Sequence, residues 1–259
     1  MALRRFLIPL LTVVWLFAGG AVLVAGYVCS TRDNFTAGSQ YQVNLNTFLS
    51  NLQPSTIAGG GIDDSTVGNG TDKVFGLAMC YADRDLTQCQ GCLRNITRDM
   101  QQVCQFSREV KVCYDACVLH YYDQPFLSVA DLDIDHYVWW VDSMVSDMVS
   151  MNATRWSLMT GLVPEAASSP LRFANGTKIY TDSQGNTQVM YGLAQCTRDL
   201  DAGECVRCLN KFVPELSRSR PNNTYGTVKG YSCYVAYKIG QDLGITILPM
   251  AAPPVQPPG

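Results

Sequence analysis

The feature that most constrains this chain is a cysteine pattern that occurs twice. Residues 76–93 read GLAMCYADRDLTQCQGCL, and residues 192–209 read GLAQCTRDLDAGECVRCL. Both segments space their cysteines as C-x8-C-x2-C, and a fourth cysteine follows in YDACVLHYY and in GYSCYVAYK. Every matching pair of cysteines is 116 residues apart. An offset that stays constant over four cysteine pairs indicates a tandem duplication of one domain.

The two ends of the chain carry segments that we predict to lie outside any folded domain. Residues 1–26 indicate a secretory signal peptide, in which Arg4 and Arg5 precede an apolar run that ends in small residues. An uncleaved membrane anchor is the alternative, since the run is almost long enough to span a bilayer, but its proline and glycine residues favour cleavage. Residues 247–259 are proline-rich and predict a disordered tail. After cleavage we expect no transmembrane anchor.

The charge balance argues against two classes of partner. Loss of Arg4 and Arg5 with the signal peptide leaves 17 of the 19 basic residues against 22 acidic ones, so the net charge changes from −3 to −5. A mildly acidic chain without a basic stripe is a poor binder of nucleic acid. It also lacks the cluster of Lys and Arg that holds proteins to anionic membranes. We therefore expect neither partner.

Eleven cysteines in an exported chain indicate disulfides. CQGC and CVRC contain C-x-x-C, which also occurs in zinc and thioredoxin-like redox sites, but an oxidising compartment and the cysteine upstream of each pair favour disulfides. We expect no metal and no cofactor. Six N-x-S/T sequons agree with export, although single matches also arise by chance. These candidate glycosylation sites are Asn34, Asn69, Asn95, Asn152, Asn175 and Asn222.

Hydrophobic periodicity predicts the same plan for both copies. In the first copy, one helix ends at Pro54 and a second is capped by Asp85. VKVCYDACVLHYY predicts one half-buried strand. In the second copy, DSMVSDMVSM predicts the first helix, and a hairpin turns at Gly185-Asn186. The predicted inward residues of the four helices are Tyr41, Leu45, Phe48, Leu49 and Leu52; Cys92, Leu93, Ile96, Met100 and Val103; Val145, Met148 and Val149; and Cys208, Leu209, Phe212, Val213 and Leu216.

This mixture of strands and helices predicts an α+β fold. We expect two tandem domains, each an antiparallel sheet packed on one face against two helices and stapled by disulfides. The predicted bounds are 27–127 for the first domain, 128–138 for a short linker and 139–246 for the second domain. Three aromatic residues near the junction are interpreted as packing the domains together rather than as a ligand platform: Tyr137, Trp139 and Trp140.

The cysteine spacing resembles that of a known plant family. In the first copy, C-x8-C-x2-C is followed by cysteines 12 and 25 positions after its last cysteine. This pattern is similar to the plant cysteine-rich secretory repeat, also called the stress-antifungal or ginkbilobin-like domain, over residues 27–246. The resemblance implies a secreted protein of the apoplast that acts in stress or defence signalling.

In that family three disulfides staple each domain. Carried over to this chain, the resemblance implies three pairs in the first copy and two in the second. Position 220, the counterpart of Cys104, is an arginine, and no cysteine stands near the start of the second domain. The implied pairs are Cys29–Cys104, Cys80–Cys89, Cys92–Cys117, Cys196–Cys205 and Cys208–Cys233. We expect the first domain to be the more strongly stapled one.

That scheme leaves Cys113 unpaired. Because Cys113 lies four residues before Cys117 in the predicted strand, we expect both to face the same side of the sheet. Two interpretations are favoured: a buried, inert thiol, or an exchange in which Cys29 or Cys104 pairs with Cys113. An exposed thiol for dimerisation or redox sensing is the alternative.

Catalysis has little support in the sequence. The chain has two histidines, His120 and His136, and neither stands in a nucleophile pattern such as G-x-S-x-G. Acidic pairs such as Asp63-Asp64 lie in glycine-rich segments, where they usually only solvate a turn. We therefore expect no enzyme.

Two kinds of binding remain. Some single-domain relatives resemble mannose lectins, and their sugar-contact positions correspond here to Ser30, Lys111 and Tyr122. Lysine does not reproduce the two-pronged hydrogen bonding of the arginine that the family carries at the second position. We therefore expect a cell-surface or apoplastic protein as the partner, with a cell-wall glycan as the alternative.

Overall fold

A computed structural model describes residues 27–30, 34–139, 144–219 and 222–246, with the backbone alone for 137–139. The predicted signal peptide, Trp140, position 220 and the predicted tail lie outside the described residues, as do the side chains of Tyr137 and Trp139.

The first domain contains two helices and a six-stranded antiparallel sheet. Its strands run in the order β1-β5-β6-β4-β2, and β3 also pairs with β4. A 3-10 turn at Gly70–Asp72 precedes β4. The elements are β1 (Tyr27–Cys29), α1 (Gln40–Ala58), β2 (Ile62–Asp63), β3 (Thr66–Val67), β4 (Val74–Cys80), α2 (Leu86–Val103), β5 (Val110–Cys113) and β6 (Cys117–Tyr122).

The second domain repeats this plan with a five-stranded antiparallel sheet in the order β7-β10-β11-β9-β8. Its elements are β7 (Ile134–Trp139), α3 (Met148–Ser168), β8 (Phe173–Thr181), β9 (Thr187–Cys196), α4 (Ala202–Ser219), β10 (Tyr225–Gly230) and β11 (Cys233–Ile239). The α+β prediction of two sheets, each with two helices, is confirmed.

The helix starts follow from their capping residues. The Ser39 side chain accepts from the backbone N–H of Gln42 and begins α1. Asp85 begins α2 with a capping box, in which Asp85 and Gln88 each bond the other's backbone N–H. The predicted cap at Asp85 is therefore confirmed.

Pro54 does not end α1, contrary to the prediction. The helix continues to Ala58. Pro54 is exposed, so the backbone carbonyl that loses its partner in the preceding turn can be hydrated. The helix ends instead at Gly59, where an added Cβ would lie 2.1 Å from the Ile62 carbonyl oxygen.

The predicted inward positions are buried in α1, α4 and most of α2, but those predicted for α3 are not. The predicted positions in α1 and α4 are buried, as are those in α2 except Val103, which is 49% exposed at the helix end. In the third helix, Met148 and Val149 are exposed because the helix only begins there and turns Met151, Leu158 and Met159 inward. Val145 lies before the helix and is partly buried.

VKVCYDACVLHYY does not form one strand. It forms the hairpin of β5 and β6, in which Val112 pairs with Leu119 and Cys113 with Val118. The prediction failed because residues 114–116 make a tight turn without the glycine or proline that usually marks one. The predicted hairpin at Gly185-Asn186 is confirmed, and Gly185 has φ +85° there.

The connection between the domains is shorter than the predicted linker 128–138. Ile134–Trp139 forms β7, the edge strand of the second sheet, and pairs antiparallel with β10. Sequence patterns predict a linker here because only the pairing with the distant β10 shows that these residues belong to the sheet.

Both sheets bury much of their second face. The face opposite the helices packs against the same face of the other sheet, and the contact buries a third apolar core beside the two helix–sheet cores. Leu77, Met79 and Cys113 from the first domain meet Leu193, Tyr234 and Ala236 from the second in this core. The two domains therefore share a buried junction.

Candidate functional site

One half of the junction holds a buried cluster of charged side chains. Lys229 of β10 is 1% exposed, and its ammonium lies 4.4 Å from the ring centroid of Tyr81 and 4.7 Å from that of Tyr234. The ammonium donates to the backbone carbonyl of Asp115 in the first domain. Burial lowers the pKa of Lys229 to about 8.

The acidic partners in this cluster come from the first domain. Arg84 Nη1 lies 2.7 Å from Asp83 Oδ2, and Arg84 Nη2 lies 2.9 Å from Asp115 Oδ1. The hydroxyl of Tyr234 donates to Asp83 across the junction at 2.8 Å. Burial opposes ionisation of Asp115, but Lys229 and Arg84 outweigh it and hold the pKa of that carboxyl below its usual value. We call these five residues the charged cluster: Asp83, Arg84, Asp115, Lys229 and Tyr234.

The other half of the junction holds a cavity of about 300 Å³. We call it the junction cavity. Apolar side chains such as Leu77 and Phe126 form part of its wall. Polar side chains from both domains form the rest, including Glu109, Lys111, His120, Tyr122, Thr197, Asp199, Tyr231 and Ser232.

His120 is the most unusual group in the junction cavity. The side chain is 7% exposed, its ring stacks on Phe126 at 3.6 Å between centroids, and its Nε2 has no hydrogen-bond partner. Burial, reinforced by the charge of Lys111, lowers the pKa of His120 to about 3. The imidazole is therefore neutral at physiological pH, with one ring nitrogen left unsatisfied.

Lys111 is already engaged within this cavity. Its ammonium lies 2.7 Å from Asp131 Oδ2 and 3.6 Å from Asp133 Oδ2. It also lies 5.3 Å from the ring centroid of Tyr231 in the second domain. These carboxylates raise the pKa of Lys111 despite its burial.

The three predicted sugar-contact positions do not converge on one pocket. Lys111 and Tyr122 line the junction cavity, and Ser30 does not. The backbone of Ser30 bonds instead to Glu109 at 2.9 Å and to the hydroxyl of Ser107 at 2.8 Å. Lys111, the one charged member of the three, is held by Asp131.

The structure contains five disulfides among the described residues. They join the cysteines that the resemblance pairs, and they lie on the helix side of each sheet or at the edge strand β1. They are Cys29–Cys104, Cys80–Cys89, Cys92–Cys117, Cys196–Cys205 and Cys208–Cys233.

Cys113 does not face the same side as Cys117, contrary to the prediction. The turn between β5 and β6 places Cys117 in the helix-side core and Cys113 in the junction core. The Cys113 thiol is free, fully buried and 3.1 Å from the carbonyl oxygen of Gly230 in the second domain. Burial raises the pKa of this thiol far above its usual value.

The remaining candidate residues do not form a common site. His136 Nδ1 lies 2.6 Å from Asp135 Oδ2. The described residues contain no group of three His, Cys, Asp or Glu side chains placed to hold a metal. Among the sequons, Asn34, Asn69, Asn95 and Asn175 are exposed, whereas Asn152 and Asn222 are half-buried and the side chain of Asn152 contacts Arg155.

Sequence reasoning missed the charged cluster, although a signal for it was present. The offset of 116 residues that aligns the cysteines also aligns Cys113 with Lys229 and Asp83 with Asp199. A lysine at the position of a buried cysteine, inside an otherwise apolar strand, marks a charge that needs a partner from elsewhere.

Comparison with known families identifies both halves of the chain. The family model described as salt stress response/antifungal matches residues 28–124 and 142–239. Each match contains one helix pair and the sheet beside it, except that the second match begins after the edge strand β7.

Two curated plant proteins are similar over most of their length. An antimicrobial ginkbilobin-2-like protein of Castanea crenata is 32% identical over 213 residues, which is 82% of this chain and 86% of the relative. The cysteine-rich repeat secretory protein 38 of Arabidopsis thaliana is 33% identical over 217 residues and 82% of each chain.

Solved structures show the same fold. The crystal structure of the tandem DUF26 ectodomain of the Arabidopsis thaliana cysteine-rich receptor-like protein PDLP8 aligns with a TM-score of 0.65 and 24% identity, over 83% of this chain and 97% of that one. A bilayer crossing takes about 20 consecutive apolar residues, and none of the helices in the described ranges meets that requirement.

Proposed function

This chain belongs to the salt stress response/antifungal family, as a secreted extracellular member with two copies of the domain, and we propose that it recognises a protein partner without catalysis. The partner is a protein of the plant cell surface or apoplast, and recognition serves a stress or defence response. The chemistry of the described residues favours binding over catalysis, since Nε2 of His120 has no hydrogen-bond partner and Nδ1 of His136 is engaged by Asp135.

The observation that carries this proposal is the engagement of Lys111. In a mannose site the charged side chain must be free to bond sugar hydroxyls, because charge-assisted hydrogen bonds supply much of the affinity. Here the Lys111 ammonium is bound by Asp131 at 2.7 Å, and Ser30 lies outside the same cavity. This arrangement favours a protein partner over a mannose-type sugar.

The outer surface of α3 supports a protein interface. Val149 is 81% exposed and Trp156 is 51% exposed, and their spacing of seven residues puts them on one face of the helix. Met148 extends this apolar surface at the start of the helix. Exposed tryptophan and methionine are enriched where proteins bind one another, so we assign recognition to this face of α3.

The test uses the oxidised full chain as bait. Proteins retained from apoplastic fluid are identified by mass spectrometry, produced individually, and titrated against the wild type and the variant Val149→Ser/Trp156→Ser. We expect the double substitution to weaken binding at least about tenfold, because it removes the apolar anchors of the interface. Ile179→Ser is the matched control, since Ile179 is 67% exposed on the edge strand β8 of the same domain.

Two outcomes would contradict the proposal. One is equal weakening by the control and by the α3 variant. The other is specific mannose binding on a glycan array that is lost in Lys111→Ala, which would establish the alternative of a mannose-type lectin with antifungal activity.

A further inference from the structure

The two halves of the junction differ in a way that implies a ligand. We propose that the junction cavity binds a small organic cation, whose ammonium group lies between Asp199 and His120. The inference is independent of the proposed protein interface, which lies on α3.

The first step rests on the duplication. The offset of 116 residues pairs Asp83 of the first copy with Asp199 of the second. Both lie just after the strand that leads to α2 or α4. The charge of Asp83 is compensated: its Oδ2 lies 2.7 Å from the guanidinium of Arg84 and accepts from the hydroxyl of Tyr234 at 2.8 Å, although its Oδ1 has no hydrogen-bond partner.

The equivalent half has no cation at the positions that correspond to Arg84 and Lys229. The counterpart of Arg84 is Leu200, which is buried in the helix-side core, and the counterpart of Lys229 is Cys113. In the half that contains both cations, the Lys229 ammonium lies between the rings of Tyr81 and Tyr234, at 4.4 and 4.7 Å from their centroids. The half that lacks both contains the cavity of about 300 Å³.

Asp199 is therefore a carboxylate without a countercharge. Its Oδ2 accepts from the backbone N–H of Ser128 at 2.8 Å, and in the described ranges none of its contacts is an ion pair. The adjacent Arg198 is directed away and donates to the carbonyl of Gly60. Burial raises the pKa of Asp199, as expected when no cation is near. An ammonium group in the cavity would supply the missing charge.

His120 provides the second, independent observation. Its Nε2 is buried without a hydrogen-bond partner, which is unfavourable for a polar atom, and the residue lines the cavity. The ring is neutral, so with the proton on Nδ1 the Nε2 atom accepts a hydrogen bond. An ammonium donates three hydrogen bonds, which suits an acceptor nitrogen and a carboxylate together.

The remaining wall sets the charge and size of the ligand. Lys111 is paired with Asp131, and the wall also contains the carboxylates of Glu109 and Asp199. The wall therefore carries more negative than positive charge, which disfavours an anionic ligand. Hydroxyl groups of Thr197 and Ser232 can bond further polar atoms. A volume of about 300 Å³ limits the ligand to about one sugar ring or a short diamine.

The experiment compares charged ligands with uncharged analogues of similar shape. Glucosamine and putrescine are titrated into the oxidised full chain by NMR and calorimetry, alongside N-acetylglucosamine and 1,4-butanediol. We expect the amines to bind and shift the resonances of His120, and the uncharged analogues to bind at least about tenfold more weakly. Binding of glucosamine alone or of putrescine alone would identify a cyclic or a linear amine as the source of the ammonium.

Two substitutions locate the site. Asp199→Asn keeps an acceptor for Ser128 but removes the charge, and we expect it to weaken amine binding about 10- to 100-fold. His120→Ala is a second variant, since the counterpart of His120 in the other sheet is Ala236. Glu165→Gln is the matched control, because this carboxylate is exposed on α3 and outside the cavity wall.

The proposal is overturned if neither amine binds at millimolar concentration, or if the uncharged analogues bind as well as the amines. It is also overturned if Asp199→Asn and His120→Ala bind the amines like the wild type while remaining folded by NMR. Failure of this test leaves the α3 variants unaffected, so the two proposals are distinguished.

Discussion

The two domains hold the same edge of their sheets in different ways. In the first domain, the edge strand β1 contains three residues and is tied down by the disulfide between Cys29 and Cys104. In the second domain, the equivalent edge is β7, which contains six residues and pairs with β10 from Gly226 to Gly230. A longer ladder of backbone hydrogen bonds occupies the place of the covalent tether.

This difference teaches that a disulfide and a strand extension can do the same structural work in one fold. A three-residue strand makes few backbone hydrogen bonds at a sheet edge, so a further restraint adds to its stability. The disulfide compensates by restricting the unfolded chain, whereas a longer strand contributes in the folded state. The second domain is therefore expected to tolerate the loss of a bridge that the first domain needs.

The largest expected effect tests that comparison directly. Cys29→Ser/Cys104→Ser removes a bridge between residues 75 positions apart, and we expect the free energy of unfolding to fall by about 4 kcal/mol because the unfolded chain regains that loop entropy. Urea unfolding under oxidising conditions measures the change, and hydrogen exchange should show β1 exchanging faster while β7 stays protected.

The matched control lies in the second domain. Cys196→Ser/Cys205→Ser opens a loop of only nine residues, which predicts a loss of about 3 kcal/mol. If this variant is destabilised as much as the first, loop entropy does not account for the difference between the domains. If β7 also loses protection in the Cys29 variant, the two edges are not independent.

The sequence alone predicted most of the helix-side half of each domain, with the inward face of α3 as the exception. The periodic apolar residues of α1, the cap at Asp85 and the turn at Gly185 are local signals, and each acts within a few residues of itself. The wrong prediction at Pro54 also rests on a local signal. A proline on an exposed helix face can be tolerated without ending the helix.

The junction could not be predicted by the same means. Its contacts join residues more than 100 positions apart, such as Tyr234 and Asp83 or Cys113 and Gly230. In β5 and β6 both faces are buried, so the alternation typical of a half-exposed strand misrepresents them. The unpaired nitrogen of His120 depends on which side chains surround it, and a single sequence does not show those neighbours.

A smaller effect separates two glycines that the duplication makes equivalent. A Cβ added at Gly76 would lie 2.2 Å from the ring of Phe48, whereas a Cβ added at Gly192 would lie 3.0 Å from Leu158. Phe48 is fully buried and has little room to move, so we expect Gly76→Ala to lower the free energy of unfolding by about 2–3 kcal/mol. Leucine ends can shift, and Gly192→Ala should cost about 1 kcal/mol or less. Urea unfolding of both variants decides the order, and equal losses would show that the two helix–sheet contacts are packed alike.

The smallest effect concerns pH and the equivalent positions 113 and 229. Burial lowers the pKa of Lys229 to about 8 from the ordinary value of 10.5. Between these values the unfolded chain keeps a proton that the folded chain has lost, so the free energy of unfolding rises with pH, by about 1 kcal/mol between pH 8 and 9.

Cys113 acts in the opposite direction. Burial raises the pKa of its thiol above the ordinary value of 9.0, so above pH 9 the folded chain keeps a proton that the unfolded chain loses, and stability falls as pH increases. We expect the wild type to gain stability from pH 8 to 9 and then level off. Lys229→Met should abolish the gain, and Cys113→Ser, which can still donate to Gly230, should extend it towards pH 10. Urea midpoints measured at half-unit steps of pH decide this. Parallel profiles for the three proteins would mean that burial does not shift the pKa of either group in the folded chain.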